Sequence, residues 1–171
     1  MNFMTEFLDI VDEQDQVVGR AAKDDVYRDC LRHRIAHVLV FNDTNEMALQ
    51  LRSTHVSFCP LHWSTAVGGH VQSGETYEQA AVREYTEELG ATSDLVFLGK
   101  AVYEVEGRPS KFLVTFKTTF NGPFSPDPRA VERTDFFTLL TIQDMIEQGE
   151  KFHPELLFLL KKYFCPPLCN F

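Results

Sequence analysis

The segment that most limits what this chain can become runs from Thr76 to Gly90, TYEQAAVREYTEELG. Thr76 and Gln79 have the spacing of a capping box, which starts a helix by satisfying its first free N–H groups. From Ala80 to Leu89 there is no Gly or Pro, and good helix formers dominate. Tyr77, Ala81, Tyr85 and Leu89 recur at i+4 and form an apolar stripe. Gly90 stands where a left-handed glycine ends a helix. The helix must therefore pack along one stripe. Glu84, Glu87 and Glu88, at i, i+3 and i+4, share a face beside that stripe, at the edge of the core. Like charges so placed cost a helix about 0.2–0.5 kcal/mol per pair. They also raise one another's pKa unless a cation neutralises them. A solvated acidic face is the commoner meaning of such a cluster standing alone. Hard divalent cations, Mg²⁺ and Mn²⁺, prefer these oxygens.

The cluster does not stand alone. Gly69 to Ala91 resembles the Nudix box, Gly-x5-Glu-x7-Arg-Glu-U-x-Glu-Glu-x-Gly-U, where U is a bulky aliphatic residue. Gly69, Glu75, Arg83, Glu84, Glu87, Glu88 and Gly90 fall on its fixed positions, while Tyr85 and Ala91 depart at the two U positions. The resemblance implies one Nudix hydrolase domain over 1–171, with the box at 69–91. The implied fold is α/β, an α/β/α sandwich around a mixed sheet. The implied chemistry is metal-dependent cleavage of a pyrophosphate linkage by water, with Mg²⁺ or Mn²⁺ as cofactor. Carried over position by position, Glu84 and Glu88 are the main metal ligands. Glu87 is a third ligand or the base, and Gly68 offers its backbone carbonyl. Arg83 and Glu75 clamp Glu84, with Gly69 supporting the site. Many members place a further acid before a late strand. Here Ala130-Val-Glu-Arg133 occupies that region, and Glu132 is the candidate. Arg52 matches a position that often meets phosphate.

The rest of the chain reads as short strands with a few helices and no regular βα alternation, as expected of a mixed sheet covered by helices. Strands are expected at Phe7–Val11, Val17–Gly19, Ile35–Asn42, Met47–Arg52, Trp63–Val71, Leu95–Glu106, Lys111–Phe120 and Val131–Thr138. Helices are expected at Asp24–Leu31, Thr141–Gln148 and His153–Phe164 besides the one in the box. Cys30, Cys59, Cys165 and Cys169 form no dense framework, and reduced, incidental thiols in a cytoplasmic protein are expected. No signal peptide is expected, and no membrane-length apolar run appears in the sequence. A net charge of −9 excludes nonspecific binding to nucleic acid or anionic membrane. That charge also repels polyphosphates, so bound cations and local Arg or Lys must reverse it at the site. Basic residues near the box are few, which disfavours long polyphosphate chains.

Two enzyme readings follow. The phrase Asp9-Ile-Val-Asp-Glu13, with His33-Arg34, His70 and Tyr103-Glu104-Val105, resembles the branch containing isopentenyl-diphosphate isomerase. That isomerase has a Cys just before its Gly-His, where this chain has Gly68, and a further His where this chain has Val26. Without the thiol a carbon-skeleton proton transfer lacks its donor, whereas the hydrolytic box is complete. Hydrolysis of nucleoside di- or triphosphates is therefore the expectation, by a monomer or homodimer. A nucleotide sugar or another linked diphosphate is the alternative substrate. Phe58, Trp63, Tyr85, Tyr103 and Phe112 are candidates to stack a base; Trp63 and Tyr103, with Arg52, are the substrate-side choices. His33, His37, His70 and His153 read as single histidines in structural or surface roles.

Overall fold

The computed structural model describes residues 5–164. Cys165 and Cys169 lie outside the described residues, and Cys30 and Cys59 are free thiols. The chain opens with a hairpin, β1 (Phe7–Val11) and β2 (Val17–Ala22), which forms its own two-stranded antiparallel sheet. A short helix follows, α1 (Lys23–Arg28). It ends sooner than expected because Cys30 takes a left-handed φ of 51°.

A seven-stranded mixed sheet follows. Its strands are β3 (His33–Phe41), β4 (Met47–Arg52), β5 (Trp63–Thr65), β6 (Val67–His70), β7 (Val96–Tyr103), β8 (Lys111–Thr119) and β9 (Val131–Phe137). The central β3 runs parallel to β8 over its full length, and the other pairings are antiparallel. The stretch Trp63–Val71, expected as one strand, is divided at Ala66. Its first half pairs with β4 and its second with β3. The helices are α2 (Tyr77–Leu89), α3 (Leu139–Glu147) and α4 (Pro154–Tyr163).

Alternation along β3 builds both layers, because successive side chains of a strand point to opposite faces. Ala36, Val38 and Val40 pack with Ala80, Ala81, Tyr85 and Leu89 of α2. Leu39 packs with Ile142 of α3 and with Leu156 and Leu160 of α4, and Ile35 with Leu159. Helices thus cover both faces of the sheet. Among the described residues no helix is long and apolar enough to cross a membrane.

The terminal hairpin is held by a buried charge. Asp15, in its turn at φ 63°, is only 7% exposed. Arg34 Nε donates to its Oδ1 at 2.6 Å, Tyr77 Oη to its Oδ2 at 2.9 Å, and Lys100 Nζ joins them. Burial opposes ionisation of Asp15, but Lys100, Arg34 and Tyr77 outweigh it and hold the carboxyl below its usual range. Three separate elements, β3, α2 and β7, therefore fix one hairpin. Asp9 adds a second tie, accepting from Ser73 Oγ at 2.7 Å and from the Gly74 N–H at 3.1 Å.

Candidate active site

The local structure of α2 follows from its sequence. Thr76 Oγ1 accepts from the Gln79 N–H, and the Gln79 side chain accepts from the Thr76 N–H. Gly90 ends the helix at φ 62°. Burial of Tyr85 and Leu89 fixes the helix rotation. It leaves Glu84 largely covered, at 13% side-chain exposure, and Glu87 turned outward at 60%.

Neighbouring glycines of β6 make the close approach possible. A Cβ on Gly69 would stand 2.1 Å from Glu84 Cδ, and one on Gly68 would stand 2.7 Å from His37 Nδ1. The Gly68 N–H donates to Glu88 Oε2 at 3.0 Å. Arg83 is the clamp. Its Nε and Nη2 donate to the two Glu75 oxygens at 2.7 and 2.9 Å, its Nη1 to Glu84 Oε1 at 2.6 Å, and its Nη2 also to the His70 carbonyl at 2.9 Å. Glu75 in turn accepts from the Gln72 N–H at 2.9 Å. Helix, strand and loop are thus joined through one guanidinium.

The carboxylates line a cleft of about 1260 Å³. Burial and the nearby Glu84 charge push the Glu88 carboxyl up to about 8. Burial also raises Glu84, against the pull of Arg83. Among the described residues no three His, Cys, Asp or Glu side chains are already drawn into a metal-holding group. Arg83 Nη1 bonds both Glu84, at 2.6 Å, and Glu87, at 3.3 Å, while the Gly68 N–H bonds Glu88. The donors nevertheless suit a hard dication. All are oxygens, and two crowded, buried carboxyls have raised pKa values that a divalent charge relieves.

The remaining sequence candidates divide. Arg52, Phe58 and Tyr103 line the cleft. Trp63 does not: it is 3% exposed, packs edge-on against Phe137 at 5.1 Å, and donates from Nε1 to Glu150 at 2.7 Å. It is a core residue, because its strand sits under the α3–α4 layer. Tyr85 and Phe112 are likewise buried. Glu132 is exposed. Val131, paired with Arg52, is 2% exposed, and the register shifts here so that Glu132 falls between the partners of Leu51 and Arg52 and is left on the exposed side. The cleft wall here is Ala130 and Val131 instead.

Sequence reasoning missed part of the cleft. Arg20, Lys23, Arg108 and Lys111 also line it, so cations are not few there. They come from β2, α1, the β7–β8 loop and β8, and only the folded sheet gathers them. The histidines are not isolated either. His33 and His70 stack at 5.6 Å, and Tyr27 Oη bonds His70 Nε2 at 2.8 Å. Burial lowers both histidines well below the ordinary value, that of His33 to about 4. Deeper still, Glu155 is 6% exposed and accepts from His37 Nε2 at 3.1 Å and Lys111 Nζ at 2.7 Å. Burial disfavours its charge, but His37 and Lys111 hold its carboxyl far below the usual range. No motif announces this pairing across the length of the chain.

Known proteins give the same picture. The model of the NUDIX domain matches residues 31–160. The uncharacterised Nudix hydrolase SCO1686 of Streptomyces coelicolor is 35% identical over 152 residues, covering 88% of this chain and 84% of that protein. The uncharacterised Nudix hydrolase YfcD of Escherichia coli is 27% identical, covering 90% and 83% respectively. Among solved structures, DR0079 from Deinococcus radiodurans superposes with a TM-score of 0.78 at 27% identity, over 93% of this chain and 99% of that one.

Proposed function

Because the chain belongs to the Nudix hydrolase family, whose members act on pyrophosphate bonds, we propose that it cleaves nucleoside di- or triphosphates with Mg²⁺ or Mn²⁺. One observation carries this reading: the crowded Glu84, Glu87 and Glu88 open onto the same cleft as the Phe58 and Tyr103 rings and Arg52. Acid cluster, cation and aromatic surface are what a metal-bound diphosphate with an attached base requires.

In this scheme Glu84 and Glu88 would hold the cation, with the Gly68 carbonyl completing the set. When bound, the cation neutralises phosphate charge and lowers the pKa of the attacking water. The chain's own residues do the rest. Arg83 favours the charged form of Glu84 and aims it, and Glu75 keeps Arg83 in place. Gly69 leaves the room that Glu84 occupies. Glu87, exposed and joined to Arg83 at 3.3 Å, is the third ligand or the base that accepts the water's proton. Arg52 meets a phosphate oxygen, while Phe58 or Tyr103 lies against the base.

The test is a panel offered at equal concentration with Mg²⁺ and with Mn²⁺, products identified. It holds nucleoside di- and triphosphates, ADP-ribose, a nucleotide sugar, diadenosine polyphosphates and isopentenyl diphosphate. Nucleoside phosphates should lead in kcat/KM, a diphosphate yielding monophosphate and orthophosphate. A lead of about tenfold by ADP-ribose or a dinucleoside polyphosphate would reject the substrate. Isomerisation of isopentenyl diphosphate would reject the hydrolytic reading altogether.

A further inference from the structure

One wall of the cleft carries, beside Arg52, a second guanidinium, Arg108, that the reading above leaves unused. Arg52, at the end of β4, donates from Nε to the Phe58 carbonyl at 3.2 Å. Its positive charge also favours ionisation of the Glu88 carboxyl. Arg108, from the β7–β8 loop, holds its guanidinium 4.7 Å from the centre of the Phe58 ring. Tyr103 lines the same cleft, where the charges of Lys111 and Arg108 favour ionisation of its hydroxyl against burial. The cleft therefore runs from the acid cluster through Arg52 and Phe58 to Arg108.

Among the described residues neither Arg52 nor Arg108 has a carboxylate partner, whereas Arg83 and Lys111 on the same cleft both do. Two guanidinium groups without a salt bridge, Arg52 on the Phe58 carbonyl and Arg108 over the Phe58 ring, thus come to one residue in a protein of net charge −9. A guanidinium is weakly hydrated, stacks on rings, and presents a planar fork that matches phosphate oxygens.

We propose that Arg52 and Arg108, meeting at Phe58, form a second anion subsite that takes a phosphate group the substrate carries beyond the diphosphate that is cut. This rests on the hydrolase reading above and refines its substrate. The extra phosphate can come from the end of the phosphate chain or from the ribose, and the test separates these sources.

Three matched substrates serve: adenosine diphosphate, adenosine triphosphate, and adenosine diphosphate bearing a 3′-phosphate. Their kcat/KM values are compared in the wild type, Arg108→Ala and Arg108→Lys. One phosphate-bearing substrate should exceed the plain diphosphate by about tenfold, the usual worth of a charge-assisted contact. Arg108→Ala should cut that ratio by a similar factor, and Arg108→Lys should restore part of it. Preference for the triphosphate assigns the chain, and preference for the 3′-phosphate assigns the ribose. Equal values for all three in the wild type, or an unaltered ratio in Arg108→Ala, overturn the proposal. Binding gives a second readout that needs no turnover. Inorganic phosphate should shift the backbone amides of Ser57, Phe58, Gly107 and Arg108 in the wild type but not in Arg108→Ala. If these shifts occur while no nucleotide is cleaved, the subsite stands and the substrate reading falls. If the plain diphosphate is cleaved and the shifts are absent, the subsite falls alone.

Discussion

Replacing Gly69 by alanine separates the site from the fold. The added methyl would sit 2.1 Å from Glu84 Cδ and 2.2 and 2.5 Å from its two oxygens. Carbon atoms in contact rest about 3.5–4.0 Å apart, so the carboxyl must retreat by roughly 1.5 Å. That movement breaks the 2.6 Å bond from Arg83. Overpacking costs about 1–3 kcal/mol. The low end applies here, because the displaced atoms are the tip of a flexible side chain partly open to the cleft. A loss of about 1–2 kcal/mol lowers the Tm of a chain this long by roughly 2–8 °C. The chemistry suffers more, since a misplacement of about 1 Å can cost on the order of a hundredfold. The expected outcome is a folded protein with kcat/KM down about a hundredfold, read by circular dichroism melting and steady-state assay with Mg²⁺. Activity within about threefold of the wild type would refute the idea that this contact places Glu84. Loss of the fold would show that β6, not the carboxyl, had to move.

Asp15→Asn keeps the shape of the turn but leaves Arg34 and Lys100 without their anion, so it should destabilise by about 3 kcal/mol. Because the Asp15 carboxyl is depressed in the fold, its contribution is full above its unfolded pKa of about 3.9 and is lost as pH falls through the lower folded value. Wild-type Tm should therefore fall more steeply below about pH 4 than that of Asp15→Asn; parallel curves would refute this. Trp63→Phe deletes the bond to Glu150 and should cost about 1–2 kcal/mol in melting with KM unchanged, whereas a raised KM at unchanged Tm would return Trp63 to the substrate. Glu132→Gln, on the outer face of β9, should keep kcat within about twofold, and a large loss would show that this acid reaches the reaction.

What could be read from the sequence was local. The capping box, the i+4 stripe and Gly90 define α2 within its own few turns, and the acid face follows from helix geometry. The clamp of Arg83 on Glu75 was implied by the resemblance to the Nudix box, and it too spans only one loop and one turn. The placement of Trp63 and Glu132 was not legible, for a shared reason. Each depends on which side of a strand faces the cleft, and a one-residue change of register reverses that. The meeting of Glu155 with His37 and Lys111, and of Arg108 with Phe58, depends on sheet order. No periodicity within a segment encodes contacts between segments so far apart.

The central claim is that the Glu84–Glu88 cluster holds a divalent cation for pyrophosphate cleavage. Its most direct measurement is orthophosphate release from a nucleoside diphosphate by chelator-treated protein, before and after added Mg²⁺ or Mn²⁺, in the wild type and in Glu88→Gln. The account predicts no release without metal and recovery with it. It also predicts a kcat at least about a hundredfold lower in Glu88→Gln, with an unchanged circular dichroism spectrum. Full turnover in rigorously metal-free buffer, or a near-normal kcat in Glu88→Gln, would contradict it.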